Sequence, residues 1–182
     1  MTATTSSMLQ AFRRFKRNRR GVSAVEFAFI APVMIGLYLG CVGISDGVGA
    51  DRKVSLTAGA LTNLTAQVTT ISDADMTNIL DASSAIIAPY AAGNLKMTVS
   101  CLKIDSTGMA KVQWSATRNG TARASGSVYS FSSSNSALAV KNSWLILGEV
   151  SYAYTPIVGY TISGTLTLSD MMFMGPRITA PT

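Results

Sequence analysis

Residues 22–44 read VSAVEFAFIAPVMIGLYLGCVGI, and Glu26 is the only charged side chain among them. From residue 27 to residue 44 there are 18 consecutive positions without a charge. A membrane-spanning helix needs about 20 apolar residues at about 1.5 Å of rise each. Directly before this stretch stand Arg13, Arg14, Lys16, Arg17, Arg19 and Arg20, six cations within eight residues. Basic residues flanking a span stay on the cytoplasmic side. The expected organisation is a basic cytoplasmic leader (1–21), a transmembrane helix (22–45) and an extracytoplasmic domain (46–182). A cleaved secretory signal would carry a shorter apolar core, about 7–15 residues, ending in a small-residue site. Ser45-Asp46-Gly47 matches such a site poorly, so the helix is expected to be retained.

The rest of the composition removes most other classes. The chain has 182 residues and a net charge of +6. Outside the leader cluster nine basic residues face nine acidic ones, so the basic character belongs to the leader alone. A basic tail can bind nucleic acid, but no aromatic-rich basic face accompanies this one, and no nucleic-acid partner is expected. Only 13% of residues are charged, against about 25% in an average soluble domain. There is no histidine, which takes away the commonest general base and the commonest metal ligand. Asp73, Asp75 and Asp81 read as a solvated helix surface rather than a metal site. Cys41 falls in the span and Cys101 in a strand, so no intrachain disulfide is expected, and Cys101 reads as a small buried hydrophobe. Expectation is of no enzyme, no catalytic residue, no cofactor, no metal and no small-molecule substrate.

Two features of the span exceed what anchoring requires. Glu26 sits just inside the apolar run, where an ionisable group points to function; the competing reading is a solvated acid favoured by the positive end of the helix dipole. Gly36, Gly40, Gly43 and Gly47 follow at spacings of four, three and four, which places them on one face, and Gly36-x-x-x-Gly40 is a close-approach pattern for membrane helices. Pro32 removes one helical hydrogen bond and is expected to bend the helix.

The string Gly21-Val22-Ser23-Ala24-Val25-Glu26-Phe27, behind a basic leader and ahead of an apolar run with an early proline, resembles the class III signal of type IV pilins. It is most similar to that of the TadE-like pseudopilins of the Tad (Flp) tight-adherence pilus and secretion system. The resemblance implies cleavage between Gly21 and Val22 by a prepilin peptidase and makes Glu26 the fifth residue of the mature chain, with Phe27 beside it. It implies membrane lipid, the peptidase, other pilins or pseudopilins and an inner-membrane assembly platform as partners. It also implies the bacterial inner membrane as location, with the C-terminal domain periplasmic, and a possible place in a pilus. Such a cut exposes an α-ammonium on Val22, with an ordinary pKa of about 7.7–8.0. Residues 22 and 26 are neighbours on a helix, so this ammonium, from the same or an adjacent subunit, can neutralise the Glu26 carboxylate in a medium where an unpaired charge is costly. A second stretch, Glu149-Val150-Ser151-Tyr152-Ala153-Tyr154-Thr155-Pro156, resembles the Glu-Val-x-Tyr-x-Tyr-x-Pro of TadE-like proteins. The family's Arg-Pro-Arg tail is approximated by Gly175-Pro176-Arg177.

Beyond Asp46 the pattern becomes a stripe. Val54, Thr57, Leu61, Leu64, Val68 and Ile71 recur at three and four residues, and no proline intervenes after Pro32, so the span can run on as one helix to residue 71. Gly47, Gly49 and Gly59 are candidate breaks. The stripe is read as packing on the chain's own domain rather than as a coiled-coil seam. Ser72, with Asp73 and Asp75 behind it, is an N-cap for a second helix reaching residue 87, before Pro89. From Leu95 the pattern is one of strands. Val112 and Trp114 alternate with Lys111, Gln113 and Ser115. Asn119-Gly120 predicts a two-residue hairpin turn into a strand over 121–131, and 132–136 predicts a polar loop. Trp144, Ile146, Val150, Tyr152 and Tyr154 share one face of a long strand, and 161–168 reads as the last strand. The fold class is α+β: a long amphipathic helix, continuing from the span, packed on a small antiparallel sheet, as in pilins. Two functions fit: a minor pseudopilin of a Tad-type pilus, or an uncleaved single-pass adaptor for pilus or envelope proteins.

Overall fold

The computed structural model describes residues 20–68, 70–156 and 164–177. Helix α1 (Arg20–Gln67) runs for 48 residues with Pro32 inside it. The chain divides into two compact units, Met1–Ile44 and Ser45–Thr182. The second unit holds the end of α1, helix α2 (Asp73–Ser84) and strands β1 (Leu95–Ile104), β2 (Ala110–Arg118), β3 (Val128–Tyr129), β4 (Trp144–Tyr154) and β5 (Leu166–Met174). The strands form one antiparallel sheet in the order β3-β2-β1-β4-β5. The fold is therefore α+β, with a long N-terminal apolar helix ahead of a five-stranded sheet.

Helix α1 does not break at Gly47, Gly49 or Gly59. At Gly49 the missing side chain makes room for a tyrosine, since an added Cβ would lie 3.2 Å from Tyr90 Oη; at Gly47 it would lie 3.7 Å from the Tyr154 ring, an ordinary contact. The buried face is Ala50, Val54, Thr57, Ala58, Leu61, Thr62, Thr65 and Ala66. It keeps the first half of the expected stripe but not the second. Leu64 is exposed, and the helix stops at Gln67, before Val68 and Ile71, although Ile71 still packs against the main core. Small residues take their place because the sheet comes very close. Gly148 of β4 faces Thr62, and an added Cβ there would collide with Thr62 Oγ1 and approach the Ala58 carbonyl to 3.3 Å. The buried hydroxyls of Thr57, Thr62 and Thr65 each donate to the carbonyl four residues back, at 2.7–2.8 Å, which removes the cost of burying an unpaired polar group.

Helix α2 starts as expected. Ser72 Oγ accepts from the Asp75 amide at 3.2 Å, and Asp75 Oδ2 accepts from the Ser72 amide at 3.3 Å, a reciprocal capping box. The Ser72 hydroxyl holds the Asp75 carboxyl below its ordinary value. The helix proper closes at Ser84, and residues 85–87 continue as a single 3₁₀ turn.

The sheet carries its main core on the α1 side: Met97, Val99, Cys101, Ile146, Val150, Tyr152 and Tyr154 pack with Val54, Ala58 and Leu61. Trp144 joins this cluster from the edge, so the long apolar face read along β4 is the face that packs. A smaller cluster of Leu102, Val112 and Leu147, with Tyr129 and Phe173 against it, occupies the other side.

Three expectations are corrected. Val112 and Trp114 do not share a face. The β1–β2 register shifts between Cys101 and Leu102, so Trp114 stands opposite Cys101 in one cluster and Val112 opposite Leu102 in the other; a bulge of this kind re-aims side chains. Residues 121–131 do not form a strand after a two-residue turn. Asn119 takes the left-handed conformation (φ 55), but the chain next pairs at Val128–Tyr129, opposite Lys111 and Ala110 at the far end of β2. The intervening segment is drawn over the sheet by Arg123, whose Nη2 donates to Glu149 Oε1 at 2.7 Å. Finally, the last strand is Leu166–Met174 rather than 161–168; residues 161–163 lie outside the described residues. Its pairing is set by Leu168 and Met174, which stand opposite Tyr152 and Ile146 of the core.

Candidate assembly helix and the tyrosine stretch

The first unit presents one described element, residues 20–44 of α1, and almost all of its surface is open. Phe27 and Phe29 are 70% and 77% exposed, and Val22, Val25, Ile30, Val33, Met34, Leu37 and Tyr38 are exposed too. A helix apolar all round and uncovered is unstable in water. Helix α1 is long and apolar enough to cross a membrane by length and composition, which makes it compatible with a single-pass anchor. Val22 and Glu26 lie one turn apart on it, both exposed, and Glu26 has no ion pair among the described residues. At Gly21 and Gly36 an added Cβ would meet nothing within 4 Å, so packing among the described residues gives no reason for their small size. Gly40 and Gly43 are half-buried. Arg13, Arg14, Lys16, Arg17 and Arg19 lie outside the described residues, and Arg20 enters only as the first residue of α1.

The second unit shows what the tyrosine stretch does. Val150, Tyr152 and Tyr154 point into the main core, while Glu149 turns outward to Arg123. Tyr154 Oη donates to Asp46 Oδ2 at 2.6 Å. Tyr90 Oη reaches the same carboxylate at Oδ1, 2.9 Å away, and the Asp46 carbonyl at 3.0 Å. One acid, the first after the apolar run, thus joins α1 to the end of β4 and to the loop before β1. Ring contacts reinforce this: the Tyr90 centroid lies 6.1 Å from that of Tyr152 and 6.2 Å from that of Tyr154. Burial, and then the Asp46 carboxylate, push the Tyr154 phenol up to about 12, and the same causes raise Tyr90. Both phenols stay protonated donors at neutral pH.

Sequence reasoning placed Tyr154 in a motif but did not find Asp46 and Tyr90 as its partners. A signal existed, since Asp46 is the first charge to follow the span. The tail was legible only in outline. The Arg177 amide donates to the Ala66 carbonyl at 3.0 Å, and its Nη2 to Asn63 Oδ1, also at 3.0 Å. The tail therefore occupies one of the carbonyls left open in the last turn of α1, and its cation sits at the negative end of the helix dipole. Both cysteines are free: Cys41 is exposed, and burial of Cys101 pushes its thiol up to about 11. Asp75 caps α2 and Asp81 pairs with Arg118. Among the described residues no group of three His, Cys, Asp or Glu is placed to hold a metal ion.

Neither a curated protein nor a solved structure matches the chain. Over residues 21–58, from the Gly21-Val22 bond into the packed half of α1, the chain matches the family model described as TadE-like protein, consistent with a TadE-like, Tad pilus-associated component.

Proposed function

We propose that this protein is a minor pseudopilin of a Tad-type pilus, anchored by α1 in the bacterial inner membrane with its Ser45–Thr182 unit in the periplasm. It is a structural subunit and not an enzyme. A prepilin peptidase cuts between Gly21 and Val22, which removes all six leader cations in one step and leaves a helix whose one charged side chain up to Ile44 is Glu26. The new Val22 ammonium, from the same subunit or the next, then neutralises Glu26 in lipid, and pairing between subunits drives lateral assembly. The observation that carries this reading is the single exposed carboxylate one turn after Gly21-Val22 on an otherwise apolar, uncovered helix. The match over residues 21–58 supports the same assignment.

The test has two readouts. Mass spectrometry of the protein from its own membranes is expected to find Val22 as the N-terminus. Glu26→Gln is expected to insert normally and to lose co-purification with pilus components. An N-terminus upstream of Val22 would instead identify an uncleaved adaptor, and undiminished assembly of Glu26→Gln would remove the charge-pairing mechanism.

A further inference from the structure

Helix α1 carries a trough on the side it does not bury. A groove of about 620 Å³ is lined by Leu56, Gly59 and Ala60, with Arg52 at one end along the helix and Asn63 at the other, and with Ile86 and Met172 beside them. None of these α1 residues belongs to its buried face; Leu56 is exposed, and Gly59 and Ala60 are half-buried. Glycine weakens a helix interior relative to alanine, yet at Gly59 an added Cβ would meet nothing within 4 Å. Packing among the described residues therefore gives no reason for a glycine there, whereas Gly148 has Thr62 against it.

The chain itself arrives at one end of this trough. Strand β5 closes at Met174, and the Arg177 amide then donates to the Ala66 carbonyl while Nη2 reaches one turn back to Asn63 Oδ1, each at 3.0 Å. Asn63 thus holds Arg177 and lines the trough as well. Residues 178–182 read Ile-Thr-Ala-Pro-Thr and carry no charged side chain; they lie outside the described residues. In an extended chain Ile178 and Ala180 point to the same side, and Pro181 biases Ala180 towards that extended form. From Asn63 to Arg52 the helix rises about 16 Å, and five extended residues reach about 16 Å. A helix interior offers no open backbone groups, so its occupant must bind through side chains alone. A short apolar segment containing proline, which has no amide to satisfy, suits that surface.

We infer that residues 178–182 dock in this trough as a strap along α1, with Ile178 over Gly59 and Ala60 and Ala180 over Leu56. The Arg177 contacts fix where the strap enters, and from Asn63 the trough leads only towards Arg52. They also favour this occupant over a segment of another molecule, because a short tether holds the tail at an effective concentration on the order of millimolar. The inference does not rest on the pseudopilin reading, since it concerns the Ser45–Thr182 unit alone.

The test compares two cysteine pairs in full-length protein in detergent, with Cys41→Ser in both; Cys101 is buried. One pair is Gly59→Cys with Ile178→Cys. The other is Leu64→Cys with Ile178→Cys, since Leu64 is exposed at the level of Asn63 but does not line the trough. On mild oxidation the first pair is expected to close within one chain about tenfold faster than the second. An unbound tail would reach Leu64 at least as readily. On protein without these cysteines, methyl-labelled at Ile and Ala, a nuclear Overhauser cross-peak is expected between Ile178 and Ala60, and Gly59→Leu is expected to abolish it by filling the trough. Equal closure rates, covalent dimers in place of closed monomers, absence of the cross-peak or its survival in Gly59→Leu would each overturn the inference.

Discussion

Asp46 takes two phenolic hydrogen bonds, and each half of this arrangement has a measurable consequence. A hydrogen bond to a charged acceptor contributes about 1.5–3 kcal/mol, so Tyr154→Phe should lower the thermal midpoint of the Ser45–Thr182 unit. The sign of its pH dependence is fixed by the direction of the shift. An unfolded tyrosine titrates near 10 and folded Tyr154 at about 12, so the unfolded chain releases its proton first. The contribution is complete below about pH 10 and is lost as the pH climbs towards 12. Thermal melts from pH 8 to pH 11.5 should show the unmodified protein losing stability more steeply than Tyr154→Phe. Parallel curves would remove Tyr154 as the cause. Several residue roles were readable from sequence, because an N-cap such as Ser72 acts on its own neighbours. The role of Tyr154 was not, because its partner lies 108 residues away.

At the scale of elements, the meeting of α1 with β4 is the tightest join. Gly148 leaves no room for a methyl group beside Thr62 and the Ala58 carbonyl. Gly148→Ala should cost about 1–3 kcal/mol by overpacking, read as a lower midpoint in chemical denaturation. Adding Thr62→Ala should recover part of that loss but not all, since the Ala58 carbonyl remains 3.3 Å from the new methyl. Simple additivity of the two changes would show that the strain arises elsewhere. Helix α1 could be predicted through its glycines because its apolar content outweighs their low propensity. The strand predicted over 121–131 failed for a comparable reason. Asn119-Gly120 is a good local turn, but the contact from Arg123 to Glu149 and Tyr129 holds the following segment across the sheet rather than along its edge.

For the molecule as a whole, membrane attachment should reside in residues 22–44. Full-length protein is expected to stay with membranes through alkaline carbonate washing, and a chain lacking 22–44 to be released. Retention of the shortened chain would place the attachment in the second unit instead. Composition and local order alone determined the basic cluster, the apolar helix with its one carboxylate, the α+β class and the start of α2. Each of these depends on free energies summed over residues adjacent in the chain, such as transfer of about 20 apolar side chains from water. Only the tertiary structure decided which face of α1 is buried, how the bulge splits Val112 from Trp114, and where β5 lies. It also brought Asp46 to Tyr90 and Tyr154, and Arg177 to the end of α1. These outcomes depend on shape complementarity and hydrogen bonds between distant segments, which are specified only once the sheet has closed onto the helix.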